Sequence, residues 1–345
     1  MYWDIYKPNI YEKWSKKWIE THPKEIGEYS WDYLFTGGKE IRPRLFCELW
    51  RYLSPESEVL AELAFAVECI HLSSIVLDDT PWMDNAFVRR GKKTLHTVFS
   101  PKKAVLIAYD LIDIAIEIWK NNKPEHIHVD NWMNLLKSKL QRLMIGQWHD
   151  LEKTGNLIEL ASLKTGVLFE LVTETVALCI TLDTEFWKIW GNNLGILFQW
   201  MDDYLDMDED KEQHNRNAFN ESYDITLKRY LYLWQTIVKG IGKQWFDLSF
   251  GQFMKHYFID KMNFTDKFNS YDNLSSVKIE YPINIIIPEL KEQYNRQKEI
   301  LKYIDGKQII RHIWYNIDYM TTNNIKHTYW NIDESLWEVS NIGMD

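Results

Sequence analysis

The stretch Val67-Glu68-Cys69-Ile70-His71-Leu72-Ser73-Ser74-Ile75-Val76-Leu77-Asp78-Asp79-Thr80-Pro81-Trp82-Met83-Asp84 sets three carboxylates at the end of a long, mostly apolar run. Working back from it, Val59, Leu60, Leu63, Val67, Ile70 and Ser74 recur at helical spacing, which predicts one helix running to Asp78. Ser54-Pro55-Glu56 reads as the start of that helix: an N-cap, a proline at the first helical position and an acid in the first turn. Pro81 is expected to end or bend it, so that Asp84 folds back toward Asp78. A second acidic group, Asp202-Asp203-Tyr204-Leu205-Asp206, also follows an apolar segment, and its spacing stacks Asp202 and Asp206 on one helix face.

Helical punctuation continues outward. Ser100-Pro101 repeats the start signal ahead of an apolar helix over Ala104 to Trp119, punctuated by Asp110, Asp113 and Glu117. Further apolar-periodic stretches cover 133–151, 158–182 and 186–206, and 207–224 reads as a polar loop or frayed helix. Only Pro282 to Ile287 looks strand-like, and there is no repeat or Gly/Ser-rich linker. The predicted fold class is all-α: one large helical bundle spanning 1–345, with its chemistry within 35–210 and none found over 240–345.

Composition narrows the function classes. A net charge of -10 without a basic block argues against a nucleic-acid partner. Met1-Tyr2-Trp3-Asp4 lacks the pattern of a signal peptide, and the most apolar run, Val167 to Leu182, is interrupted by Glu170 and Glu174, so no transmembrane segment is expected. Cys47, Cys69 and Cys179 are odd in number and far apart, which fits a reduced, cytoplasmic protein better than a disulfide framework. The 17 Trp imply bulky packing.

The acidic groups need a counter-charge. Two unit charges at about 4 Å repel by roughly 4 kcal/mol at an effective dielectric near 20. Water at a solvated helix end relieves this, and so does a divalent cation. Magnesium suits the second case, being held by one or two carboxylates plus substrate phosphates. Lys39 and Arg42 in Gly37-Gly38-Lys39-Glu40-Ile41-Arg42-Pro43, Arg89-Arg90-Gly91, and Lys164-Thr165-Gly166 inside an apolar segment supply fixed cations. Singly, each reads as a surface charge; beside metal-binding carboxylates they make sense around a polyphosphate.

In this order the pieces resemble the trans-isoprenyl diphosphate synthases, the farnesyl and geranylgeranyl diphosphate synthase family. The resemblance rests on Gly37-Gly38-Lys39 with Arg42-Pro43, Glu68-Cys69-Ile70-His71 leading to Asp78-Asp79, Asp84-Asn85, Arg89-Arg90-Gly91 with Thr94 and His96, Gly146-Gln147 with Asp150-Leu151, Lys164-Thr165, and Phe198-Gln199 with Asp202-Asp203 and Asp206. It implies a helical bundle of the isoprenoid synthase type with a central substrate cavity, usually assembled as a homodimer.

The resemblance also implies roles. Asp78 and Asp84, with Asp79 nearby, would hold two magnesium ions; Asp202, supported by Asp203 and Asp206, would hold a third, and manganese could substitute. The metals would stabilise the leaving diphosphate of an allylic substrate, completed by Arg89, Lys164, Thr165 and Gln199. Asp78, Asp84, Asp202 and Lys164 are the implied catalytic set. Isopentenyl diphosphate would sit against Lys39, Arg42, His71 and Arg90, its double bond attacking the allylic cation. Ser73 and Ser74, small where farnesyl-forming members carry a large aromatic, and Ile70 on the next turn resemble the geranylgeranyl-forming pattern. Farnesyl or longer products, or an inactive regulatory subunit, are the alternatives; such a subunit would be expected to lose aspartates from one group, and all six are present here.

Departures from the family pattern are Glu40, where a basic residue is frequent; Tyr109-Asp110, where Gly-Asp is frequent; and the lack of a Gly-Lys-x-x-Gly-x-Asp segment, for which 207–229 offers Lys211, Arg216, Lys228 and Arg229. Rival readings fit less well. A terpene cyclase needs no isopentenyl diphosphate site, and His149-Asp150 is better explained by the Gly-Gln-x-x-Asp pattern than by an HD-type phosphohydrolase. A calcium loop from Asp206 lacks the turn glycine and terminal glutamate, and Gly240-Ile241-Gly242-Lys243 has the wrong spacing for a phosphate loop. His126-Ile127-His128 reads as an exposed turn.

Overall fold

The computed structural model describes residues 2–182, 184–213 and 216–223, with scattered positions from 225 to 256. The strand-like reading of 282–287, the phosphate-loop rival at 240–243 and Lys228 lie outside the described residues. In chain order the helices are α1 (Tyr2–Thr21), α2 (Lys24–Phe35), α3 (Ile41–Leu53), α4 (Ala61–Asp78), α5 (Leu95–Val98), α6 (Pro101–Asn121), α7 (Val129–Leu151), α8 (Leu157–Ala161), a π-helical turn (Ser162–Gly166), α9 (Val167–Cys179), α10 (Thr184–Leu205), α11 (Met207–Gln213) and α12 (Ala218–Glu221). The fold is all-α. The sheet content among the described residues is one small hairpin, β1 (Val88–Arg89) paired antiparallel with β2 (Lys92–Lys93). Its two-residue turn places Arg90 and Gly91 at positive φ (52° and 75°), which matches the twist of the flanking strands.

The predicted helices over 104–119, 133–151, 158–182 and 186–206 correspond to α6, α7, α8 with α9, and α10. Ser100 accepts a hydrogen bond from the Lys103 N–H and Pro101 opens α6, so that start signal is used. The Ser54 signal is not. The Ser54 N–H donates to Trp50 O at 2.8 Å and closes α3, and Ser57 Oγ accepts from Trp50 Nε1 at 2.7 Å. These bonds commit 54–57 to the end of α3, and α4 begins at Ala61. The stretch 207–224 contains α11 and α12 rather than a continuous loop, and the helical course of α11 excludes a calcium loop there.

α4 is the axis of the bundle, packed on α3, α6 and α9, while α9 packs against α10. Much of the tryptophan content serves helix docking. Trp119 of α6 and Trp132 of α7 stack at 4.6 Å, and each indole N–H donates to the other's backbone carbonyl, at 3.0 and 2.6 Å. α10 reaches the π turn so closely that a Cβ on Gly195 would lie 2.5 Å from Gly166 Cα. Only two glycines permit that contact.

Glu170 and Glu174, which break the apolar run of α9, are buried against cations. Glu170 accepts from Lys139 at 2.5 Å, Arg142 at 2.7 and 2.8 Å, and Asn192 at 3.1 Å; Glu174 pairs with Lys139 at 2.6 Å and Lys188 at 3.3 Å. No described helix is long and apolar enough to cross a membrane. Removing one partner from such a network strands the others' charge, so Glu170→Ala is expected to lower stability by about 3–5 kcal/mol in chemical denaturation. A loss under about 1 kcal/mol would mean that water relieves Lys139 and Arg142.

Candidate active site

The first acidic group forms where α4 ends. With Pro81 breaking the helix, the loop turns back: the Asp84 N–H donates to Asp78 O at 2.8 Å, and the Met83 and Asn85 N–H groups donate to Thr80 O at 3.0 Å. Asp84 therefore returns to Asp78 as the sequence predicts. Burial pushes the Asp78 carboxyl up to about 7, with Asp84 and Asp150 adding repulsion and Lys164 and Arg89 opposing it. Partial enclosure likewise raises Asp84.

Asp79 behaves differently. It is fully buried, taking Tyr33 Oη at 2.5 Å on one oxygen and Arg89 Nε at 2.6 Å on the other. Asp203 repeats the arrangement in the second group: Gln199 Nε2 donates to one oxygen at 2.8 Å and the Ala218 N–H to the other at 3.1 Å. Both residues, expected among the metal ligands, have each oxygen bonded by a protein donor. The first aspartate of each pair, Asp78 or Asp202, is the less buried of the two. Burial lifts Asp203 to about 6.

The π turn carries Lys164 and Thr165 between the two groups. Lys164 Nζ bonds Asp150 Oδ2; although burial opposes its charge, Asp78, Asp150 and Asp84 together hold the ammonium above its ordinary pKa. Thr165 Oγ1 donates to Gln199 Oε1 at 2.6 Å, and Gln199 passes the chain on to Asp203. Lys164 thus lies in the field of the first acidic group, while its neighbour Thr165 is joined to the second through Gln199. The widened turn fits because Gly146 of α7 leaves room: a Cβ there would lie 2.8 Å from Leu163 Cβ.

The basic loop 37–42 closes the other side. Lys39 Nζ lies 3.3 Å from Asp202 Oδ1. The Arg90 guanidinium covers Gly38, where a Cβ would sit 2.8 Å from Nη1. Arg42 is buried, its face 5.2 Å from the Phe169 ring centre. Burial lowers Arg42 to about 10, with Glu68 and Asp202 opposing that shift and Arg90 adding to it. Burial, together with Arg42, Arg90 and Arg89, holds the His71 imidazole well below its usual pKa and therefore neutral. Arg42, His71 and Arg90 share one electrostatic neighbourhood, and Lys39 and Arg42 both interact with Asp202. Glu40 is not turned toward them: its carboxylate points at α1, accepting from Tyr11 Oη at 2.6 Å and Lys7 Nζ at 2.9 Å.

On α4, Ser73 Oγ donates to Ala108 O of α6 at 2.9 Å and Ile70 is buried, whereas Ser74 is half-buried and bonds His71 O at 2.8 Å. Tyr109 stands exposed on α6, and Asp110 pairs with His22 at 3.0 Å. Arg216 is spent on the carbonyls of Thr154 and Gly155, away from the acids. His126 and His128 lie exposed at the start of α7, as read. Tyr33 escapes sequence reading because its contact with Asp79 spans 46 positions. Asn217, whose Nδ2 donates to Asp203 O at 2.6 Å, carries a local signal in its N-cap position before Ala218.

Asp78 and Asp84 offer hard carboxylate oxygens whose charge is disfavoured by burial, and could hold a divalent cation such as magnesium; among the described residues no three acidic, His or Cys groups form a metal cage. An ion that takes few carboxylates and completes its shell with water and phosphate matches such a site.

Glu68 gives a pH signature. Burial raises its carboxyl to about 7, Arg42 opposing the shift. Because the folded state holds this proton more tightly than the unfolded one, its contribution is present at acid pH and lost as pH rises from about 4.5 to about 7. Thermal melts should show wild type losing stability relative to Glu68→Gln across that window; parallel profiles would place Glu68 in water.

Comparison with known proteins identifies the family. The family model for polyprenyl synthetase matches residues 24–239. Farnesyl diphosphate synthase of Geobacillus stearothermophilus is 31% identical over 194 residues, covering 52% of this chain and 65% of that one. The chloroplastic geranylgeranyl pyrophosphate synthase of Capsicum annuum is 32% identical over 215 residues, covering 58% of each. The chain thus spans roughly three-fifths of the length of these relatives. A geranyltranstransferase structure from Thermotoga maritima superposes with a TM-score of 0.64 at 22% identity, over 74% of this chain and 97% of that one, which shows the shared fold. With the family match covering well over half its length, this chain belongs to the polyprenyl synthetase family.

Proposed function

We propose that the protein is a magnesium-dependent prenyltransferase that condenses isopentenyl diphosphate head to tail with an allylic diphosphate. The observation that carries this reading is the placement of Lys164 and Thr165 between the two acidic groups, with Lys39 bridging to Asp202 from the opposite side. Cations placed next to carboxylates on both α4 and α10 fit a polyphosphate and its metal ions better than either alone.

Magnesium would be held by Asp78 and Asp84 on one side and Asp202, with Asp206, on the other, about three ions in all, manganese substituting; Asp79 and Asp203 orient these ligands from behind. Bound there, it would supply Lewis-acid stabilisation of the leaving diphosphate. Lys164, Arg89, Thr165 and Gln199 orient that diphosphate and draw off its negative charge. Lys39, Arg42 and Arg90 bind the diphosphate of isopentenyl diphosphate, and neutral His71 offers a hydrogen bond without adding charge. The proton lost after carbon–carbon bond formation goes to the departing diphosphate, so no protein nucleophile is required.

The proposed product is geranylgeranyl diphosphate, because the positions ahead of Asp78 that face the growing chain are small. Ser74, half-buried, is a better gate than Ser73, whose hydroxyl is committed to α6. We place the enzyme in the cytoplasm as a homodimer. Leu106 and Tyr109 on α6 and Met144, Trp148 and Leu151 on α7 are exposed apolar side chains of the kind that subunits cover.

Purified protein with magnesium, isopentenyl diphosphate and a radiolabelled allylic diphosphate should yield an elongated prenyl diphosphate; absence of turnover with every allylic primer would overturn the activity. Asp78→Ala or Asp202→Ala should cut turnover by about a thousandfold, roughly 4 kcal/mol of barrier, and unchanged rates would remove the metal assignment. Ser74→Phe should shift the chromatographed product to shorter chains. An unaltered product spectrum would put the chain-length gate elsewhere.

A further inference from the structure

Glu40 is a buried carboxylate in the middle of the basic loop, and its partners come from one face of α1. Trp3 Nε1 donates to it at 3.2 Å, Lys7 Nζ at 2.9 Å and Tyr11 Oη at 2.6 Å. These three residues are spaced by four, so they form a single stripe along the helix. Arg44 Nη2 stands 3.8 Å away and is itself tied to Asp4 of α1 by two bonds of 2.8 Å. At Glu40 the backbone takes a left-handed turn, φ 48° and ψ 39°, which side chains other than glycine rarely adopt without a constraint.

That turn separates the cations on either side of it. Lys39, just before, extends into solvent and reaches Asp202, whereas Arg42, two residues later, is buried in the field of Glu68 and Asp202. The constraint that holds the turn is supplied from outside the loop, by α1.

We propose that Glu40 is a positioning residue: clamped by Trp3, Lys7 and Tyr11, it fixes the backbone reversal that presents Lys39 and Arg42 to the diphosphate of isopentenyl diphosphate. α1 thereby becomes part of the binding apparatus without touching substrate. The assignment of that ligand rests on the function proposed above.

Calorimetric titration of the full chain with isopentenyl diphosphate alone tests it, because one substrate binds without turnover. Glu40→Ala should weaken that affinity by about tenfold or more, while affinity for a non-ionising allylic thiolodiphosphate changes by less than about twofold. Glu40→Gln, which keeps acceptors for Trp3 and Tyr11, should restore affinity to within about threefold of wild type. Tyr11→Phe and Lys7→Met should each weaken isopentenyl diphosphate binding in the same selective way; they decide the matter if Glu40→Ala does not fold. Wild-type affinity in these variants, equal loss of both ligands, or no binding of isopentenyl diphosphate by wild type would overturn the proposal. A wild type that binds isopentenyl diphosphate selectively through Glu40 yet turns over no primer would sink the condensation reading and leave this one standing.

Discussion

Burial of carboxylates gathered at the end of an apolar helix is the constraint around which this molecule is arranged. Taking Asp78 out of water displaces its carboxyl to about 7, with Asp84 and Asp150 adding repulsion and Lys164 and Arg89 opposing it. Lys164 supplies one compensating charge and Arg89 another, but Arg89 is bonded to Asp79 and Lys164 to Asp150. Burial still disfavours the charged forms of Asp78 and Asp84, and a small, hard cation is one group that would relieve this.

Each Asp-Asp pair divides its labour by direction. On a helix, consecutive residues point about 100° apart, so one carboxylate of a pair facing the cavity sends the next into the wall. Asp79 finds Tyr33 and Arg89 there, and Asp203 finds Gln199 and the Ala218 N–H. Identical side chains thus end in different surroundings. These partners link the acids to α2, to the β1–β2 hairpin and to α12, and α2 and α12 also share the apolar core with α4 and α10.

Periodic apolar spacing made the helices legible, and Pro81 made the return of Asp84 legible, because both are local effects. Ser54-Pro55 misled for the opposite reason: its partners Trp50 and Ser57 belong to the end of α3, and a start signal is indistinguishable from a stop until the competing hydrogen bonds are known. The cations of the site were readable as motif residues. The sides taken by Asp79, Asp203 and Glu40 were not, since each is decided by donors tens of positions away in sequence or by a backbone N–H beyond the helix. The buried acids of α9 were visible as interruptions, but only their pairing with Lys139, Arg142 and Lys188 explains why they are tolerated.

The glycine-to-glycine approach of α10 and the π turn has a mechanical consequence. Backbone pressed against backbone at Gly166 and Gly195 leaves no side chain to rearrange, so the segment bearing Lys164 and the helix bearing Asp202 travel together. Whatever binds beside them meets a Lys164-to-Asp202 spacing set by main chain rather than by side-chain rotamers.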